Sequence, residues 1–231
     1  MNQQNNTNSP KSMKELAQLL INQGAIQTQK VYDAFINTDR KDYSKYNPYM
    51  NLAQTIEYNA VISQPLLHVT DMEALRDHIF PGARVLDVGC GSGFLCVAFS
   101  KMMNDQGLVV GIEHIKELAE LSVTNISKSN KELLEKGVIK IFEGDGRLGV
   151  KDYAPYNAIN VGAVSDQPPA QGRRAGAGGG ADRPGRGGEP AVDHRVLRRL
   201  HGTDLQAGRL RARRQDPRRL RPPREIGRAH V

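Results

Sequence analysis

The sequence predicts an α/β fold built on a parallel sheet. Three observations predict it: four short apolar runs between residues 85 and 161, helix-patterned stretches that alternate with them, and a glycine loop where the first run gives way to a helix. Strands that alternate with helices are joined by right-handed crossovers, which sets them side by side in one sheet.

In chain order, residues 1–10 read as a disordered lead rich in Asn and Gln. From Ser12, the positions Met13, Leu16, Leu19 and Leu20 have helical spacing, and Gly24 ends the run. Thr28 can cap a second helix through Val31, Phe35 and Ile36. The stretch DYSKYNPYMN from Asp42 to Asn51 suits an ordered loop whose rings pack while their hydroxyls stay polar. A third helix is expected after Thr70, with Met72, Leu75 and Ile79 on one face, stopping at Phe80-Pro81-Gly82. Val85-Leu86-Asp87-Val88-Gly89 is the first strand running into the glycine loop, and Phe94, Leu95, Val97, Ala98, Met102 and Met103 pattern a buried helix behind it. Residues 108–112 read as the second strand, 116–134 as a helix, 138–142 as the third strand and 158–161 as the fourth.

Composition divides the chain. Of 231 residues, 171–231 hold 16 Arg, no Lys and 6 acidic groups, a net +10; residues 1–170 hold 16 basic and 19 acidic groups, a net −3. The front portion therefore has no basic footprint for nucleic acid. Two cysteines, Cys90 and Cys96, without clustered His exclude a disulfide scaffold and a zinc spacing, so no metal is expected and a reducing compartment is the simplest setting. The N-terminus has neither a signal-peptide pattern nor an apolar run of about 18 residues, so a soluble cytosolic protein without membrane contact is expected.

The chemistry concentrates at three strand ends. Gly89-Cys90-Gly91-Ser92-Gly93 follows a strand and opens a helix, the context of a nucleotide-type site; a ligand-free tight turn is the alternative. Phe94 stands where a dinucleotide fingerprint has its last Gly, and no Lys-Ser/Thr follows for a phosphate-binding loop. Glu113 closes the second strand 26 residues after Asp87, where a carboxylate can accept both ribose hydroxyls of an adenosine ligand or simply be a solvated strand-end charge. Asp145, within Glu143-Gly144-Asp145-Gly146-Arg147, can accept from an adenine amino group or belong to an Asp-Gly turn.

Together these pieces resemble the class I S-adenosylmethionine-dependent methyltransferases, and more narrowly the protein-L-isoaspartate (D-aspartate) O-methyltransferase family. The resemblance covers about residues 15–165 and rests on Asp39-Arg40 leading to Tyr46-Asn47-Pro48-Tyr49-Met50, on Ile62-Ser63-Gln64-Pro65, Val85-Leu86-Asp87-Val88-Gly89, Gly144-Asp145-Gly146-Arg147, and on Ala154-Pro155-Tyr156 through Val161-Gly162-Ala163. It implies a Rossmann-like fold with N-terminal helices, S-adenosylmethionine as methyl donor, S-adenosylhomocysteine as product, and isoaspartyl-containing peptides and proteins as partners of a monomer. It places Ala60, Val61, Ile62 and Ser63 at the cofactor and active site, with Ser63 catalytic. His68, Asp87, Gly89, Gly91 and Ser92 would border the cofactor, Glu113 and His114 the ribose, and Asp145 and Gly146 the adenine. His68 is open to a structural role and Ser63 to that of a turn or cap residue. Gln64, Leu66, Asn157 and Asn160 depart from the family pattern and alter the rim of the substrate site. The acceptor would be a free carboxylate, already ionised at neutral pH because an Asp pKa is about 3.9, so no general base is needed.

The chain divides into the 1–10 lead, an 11–80 helical and substrate-side segment, an 81–164 cofactor-binding core and a 165–231 Arg/Gly/Pro-rich tail. The resemblance stops near Ala163, where Lys and aromatic residues also vanish. A shifted reading frame would account for this disordered tail, and the terminal EIGRAHV resembles translated cloning-vector sequence. The family's last two strands are then missing or replaced, which exposes the edge of the fourth strand and uncovers apolar faces. The rival readings are a methyltransferase of another substrate, and an inactive homologue whose basic tail binds RNA.

Overall fold

The computed structural model describes residues 9–162, 195–198 and 223–227. Most of the expected lead and tail lies outside the described residues.

The first two helices begin where the sequence predicts, the second at its expected cap. Ser12 Oγ accepts from Glu15 N at 3.2 Å to start α1 (Met13–Asn22), and Thr28 Oγ1 accepts from Val31 N at 3.4 Å to start α2 (Gln29–Ile36). Glu73 secures the second cap from outside, its Oε1 accepting from Gln27 N at 2.7 Å and Thr28 N at 2.8 Å. A 3₁₀ turn (Arg40–Asp42) opens the tyrosine-rich loop.

A hairpin follows that alternation in the sequence does not reveal. β1 (Gln54–Thr55) pairs antiparallel with β2 (Val61–Ile62), and Tyr58 and Asn59 carry the turn at φ 60° and 56°. Two-residue strands are too short for a period to show. The third helix also starts earlier than expected: α3 (Pro65–Leu75) begins at Pro65 rather than after Thr70. Proline lacks the N–H that a first helical position leaves unbonded and holds φ at a helical value, so Pro65 is a start signal. Ile79 is buried beyond the end of this helix.

The sheet contains β3 (Arg84–Val88), β4 (Leu108–Glu113), β5 (Ile139–Glu143), β6 (Ala158–Val161), β7 (Arg195–Arg198) and β8 (Arg224–Ile226), with α4 (Phe94–Met102) and α5 (Lys116–Glu135) as crossovers. Its order is β7-β6-β3-β4-β5-β8, parallel except for β8. The chain runs from β3 through β4 to β5 on one side, then returns to place β6 on the other side of β3. Such a reversal leaves a crevice beyond the carboxyl ends of the two strands that flank it, here β3 and β6.

Alternation along the strands feeds two cores. Val85, Val109, Ile139 and Ala158 pack under the helices, and Leu86, Val110, Ile112 and Ile159 fill the opposite face with Val150 and Tyr156. Asp87, Gly111, Glu113 and Asn160 fall on the helical side by the same period of two.

The tail corrects one expectation. β6 is not an open edge, because β7 pairs with it, and β8 adds to β5 through the register Ile141↔Ile226. Leu86, Val110 and Ile159 are fully buried, so the apolar faces are covered. Ladder hydrogen bonds use main-chain groups, which any non-proline residue carries, so an Arg-rich composition does not prevent pairing. Ile226 adds apolar contact with the core, and Lys140 Nζ meets Glu225 Oε1 at 3.0 Å.

Candidate active site

The crevice at the ends of β3 and β6 is an open cleft of about 400 Å³, counting the solvent it opens onto. Val61, Ile62, Ser63 and His68 line one side; Asp87, Gly89, Gly91 and Ser92 line the other. Eight sequence-predicted site residues from two distant segments thus share one cleft. Asn160 and Gly162 close its end on β6.

The glycine loop is shaped by backbone that side chains would obstruct. Gly93 has φ 86°, and a Cβ there would stand 3.1 Å from Ile126 Cδ1 and 3.2 Å from Ser122 Cβ, so only glycine lets α5 pack this closely on the loop. Asn125 of α5 donates through Nδ2 to Ser92 O at 3.1 Å, pinning the loop from the same helix. Glu113, 4% exposed, ties the loop to its neighbours: Oε2 accepts from Gly91 N at 3.2 Å, and Oε1 from His114 N at 2.8 Å and Ile115 N at 3.2 Å. His114 turns outward, its side chain 72% exposed, with Nδ1 at 2.9 Å from Glu113 Oε1.

Asp87 and Asn160 are register partners on β3 and β6, so their side chains emerge together, and Asn160 Nδ2 donates to Asp87 Oδ1 at 2.7 Å. Cys96 Sγ donates to Asp87 Oδ2 at 3.5 Å. A hydrogen bond with Cys90, then burial and the neighbouring Asp87, push the Cys96 thiol pKa well up, which keeps it protonated and unreactive.

The Ser63 side of the cleft depends on a cluster that motif reading did not assemble. Arg40 is fully buried. Its Nη2 donates to Ser63 O at 2.7 Å, and its Nη1 lies 3.3 Å from His68 Nδ1. Arginine has no acceptor, so Nδ1 of His68 must accept. The His68 ring stacks on Phe94 with centroids 4.8 Å apart, the Arg40 guanidinium lies 5.7 Å from the same ring centroid, and Tyr43 meets it edge-on at 5.5 Å. Phe94, which in the sequence marked the absence of a fingerprint glycine and opened a buried helix, joins the N-terminal helices to the glycine loop. His68 accordingly both supports the wall and borders the cleft.

Other expected site residues sit farther out. Ala60 O closes the hairpin by accepting from Ile56 N at 2.9 Å and does not line the cleft. Asp145 and Gly146 follow β5 beside Glu113, whose main-chain oxygen accepts from Gly144 N at 2.9 Å. Arg147 grips the Asp145 carboxylate through Nε at 2.9 Å and Nη2 at 2.6 Å, and these bonds hold the Asp145 pKa below its usual value. A Cβ on Gly146 would fall 2.5 Å from Val88 Cγ1, so this turn needs glycine to approach β3. Asn157 is not at the rim: its Oδ1 accepts from Arg84 N at 2.9 Å at the opposite, amino end of the sheet. Leu66 packs on the core, its N–H donating to Asn51 Oδ1 at 2.9 Å. Of the altered positions, only Asn160 reaches the cleft lining.

The sequence model of the family described as protein-L-isoaspartate(D-aspartate) O-methyltransferase matches residues 11–180. The chain belongs to this family. It is 46% identical over 151 residues to the Caenorhabditis elegans protein-L-isoaspartate O-methyltransferase, covering 65% of this chain and 67% of that one. The Triticum aestivum protein of the same name is 41% identical over 157 residues, with 67% of this chain and 68% of that one covered. A solved Plasmodium falciparum structure, described as a protein-L-isoaspartate O-methyltransferase in complex with S-adenosyl-L-homocysteine, superposes with a TM-score of 0.65 at 30% identity, covering 69% of this chain and 77% of that one. The family match begins at the first helix and includes both walls of the cleft.

Proposed function

We propose that this chain transfers the methyl group of S-adenosylmethionine to the free carboxylate of L-isoaspartyl and D-aspartyl residues in damaged proteins, releasing S-adenosylhomocysteine. The observation that carries the reading is the cleft itself, which sets the Ser63 wall against the glycine loop at the strand-order reversal of a family member.

The residues present fit the methyl donor. Gly89 and Gly91 leave open backbone on the cleft wall, and Glu113, beside them, is a carboxylate suited to vicinal hydroxyls. When bound, S-adenosylmethionine supplies an electrophilic methyl group on a positively charged sulfur. Ser63 orients the acceptor carboxylate by hydrogen bonding; the carboxylate is already ionised and is itself the nucleophile, so Ser63 need not be one. The carboxylate oxygen gains the methyl group, and the bonding pair of the broken C–S bond stays on sulfur. Holding two reactants in line can lower such a barrier by roughly 7–11 kcal/mol, which makes positioning the main task of the wall residues. His68 and Phe94 give that wall an apolar, stacked support.

The test is methyl transfer to an isoaspartyl peptide beside its aspartyl twin. Transfer to the isoaspartyl peptide alone is expected, and transfer to neither, with S-adenosylhomocysteine bound, overturns the reading. Ser63→Ala should lower kcat by about 10-fold, the worth of about one hydrogen bond, with cofactor affinity unchanged. A cytosolic monomer fits the sequence, and no described helix is long and apolar enough to cross a membrane. Light scattering at working concentration decides the oligomeric state, and a dimer mass overturns the monomer.

A further inference from the structure

We infer that Arg40 is a positioning residue for methyl transfer, its guanidinium setting the separation between the Ser63 segment and the glycine loop. The inference rests on the functional reading above and deepens it.

Three segments distant in sequence meet at this one group. The Ser63 segment follows β2, His68 sits on α3, and Phe94 opens α4 directly after the glycine loop. Arg40 donates to the first at 2.7 Å, to the ring of the second at 3.3 Å, and lies over the third at 5.7 Å. The planar fork of a guanidinium presents its nitrogens at fixed separation, so two acceptors bound to it are held at fixed separation too. His68 stacking on Phe94 passes that constraint to the loop.

A structural role alone does not account for an arginine at this place. Among the described residues no carboxylate lies within ion-pair distance of Arg40, and its Nε has no hydrogen-bond partner. Burial accordingly pushes its pKa down to about 9. With no counter-charge to offset the desolvation of this cation, what Arg40 contributes is the pair of directed contacts its fork makes to Ser63 O and His68 Nδ1. Direct contact with the substrate would also be counterproductive. Transfer from a sulfonium to a carboxylate removes both charges, and a cation on the carboxylate would favour the reactants over the transition state. Arg40 instead acts at one remove, through the Ser63 main-chain oxygen and the His68 ring.

The experiment uses the full chain and its Arg40→Met and Arg40→Lys variants, with active sites counted by S-adenosylhomocysteine titration. Both variants should bind S-adenosylhomocysteine within about threefold of the parent and keep the peptide KM within about threefold, while kcat per binding site falls by about 100-fold, the cost of roughly 1 Å of misplacement. Arg40→Lys should recover less than about tenfold of the loss, because a single ammonium cannot reproduce the fork. Unchanged kcat per site in Arg40→Met overturns the inference, as does full activity in Arg40→Lys, which would make charge alone sufficient. Loss of S-adenosylhomocysteine binding in both variants assigns Arg40 to fold maintenance and overturns it as well. A parent chain that binds S-adenosylhomocysteine yet leaves the isoaspartyl peptide unmethylated refutes the acceptor assignment separately. The Arg40 contact is then decided by the His68 ring-nitrogen shifts: Nδ1 should be the unprotonated nitrogen in the parent and change in Arg40→Lys, and identical spectra overturn the inference.

Discussion

Residues 84–146 and residues 40–68 meet across the same cleft, and they are built from different materials. The first region holds its wall with main chain: glycines at positive φ, and a Glu113 carboxylate that accepts from three backbone N–H groups and meets the adjacent His114 ring. The second holds its wall with side chains brought from far apart in sequence, Arg40 on Ser63 and His68 on Phe94, and the helices behind it are joined the same way by Glu73 on Thr28. A wall of backbone can be damaged by adding a Cβ. A wall of side chains is damaged by removing one.

Gly93→Val should have the largest effect on the main-chain wall. A left-handed φ costs a non-glycine residue about 1–2 kcal/mol and forced packing about 1–3 kcal/mol more, so S-adenosylhomocysteine affinity by calorimetry should fall by at least about 30-fold. Retained affinity would show that the loop does not need its glycine geometry. Glu113→Ala comes next. Losing charged acceptors of three backbone donors should weaken S-adenosylhomocysteine binding by about 30-fold, with the peptide KM little changed. An effect on the peptide alone would move Glu113 to the other wall.

Glu73→Ala tests the side-chain wall at a point away from the cleft. Leaving Gln27 N and Thr28 N without their acceptor should cost about 2 kcal/mol, read as a lower denaturant midpoint, while kcat per S-adenosylhomocysteine-binding site is retained. The smallest effect belongs to Arg147→Ala. Asp145 has a depressed pKa in the folded chain, so its contribution to stability is present above its ordinary value of 3.8 and is lost as pH falls through the lower folded value. Removing Arg147 should raise the Asp145 midpoint in a carboxyl carbon titration and flatten the acid limb of the stability curve.

The two regions also differ in how they could be read. The glycine loop, the capped helices and the strand-end Glu113 were legible because each is a local pattern in which neighbouring residues set the backbone path. The start of α3 was missed because an apolar run after Thr70 outweighed Pro65, although proline at a first helical position is itself a signal. The β1–β2 hairpin was missed because two residues per strand carry no period. Asn157 and Asn160 looked equivalent as departures from the family pattern, yet three residues along a parallel strand separate its amino end from the cleft.

By itself, the sequence determined the alternating strands and helices, the glycine loop and the carboxylate that closes β4, since local φ/ψ preference and hydrophobic period act between near neighbours. Only the tertiary structure decided that Arg40, Ser63, His68 and Phe94 form one cluster, that Asp87 faces Asn160, and that β7 and β8 close the edges of the sheet. Those contacts join residues 23 to 85 positions apart. Their partners are selected by packing and main-chain pairing across the fold, which no local window contains.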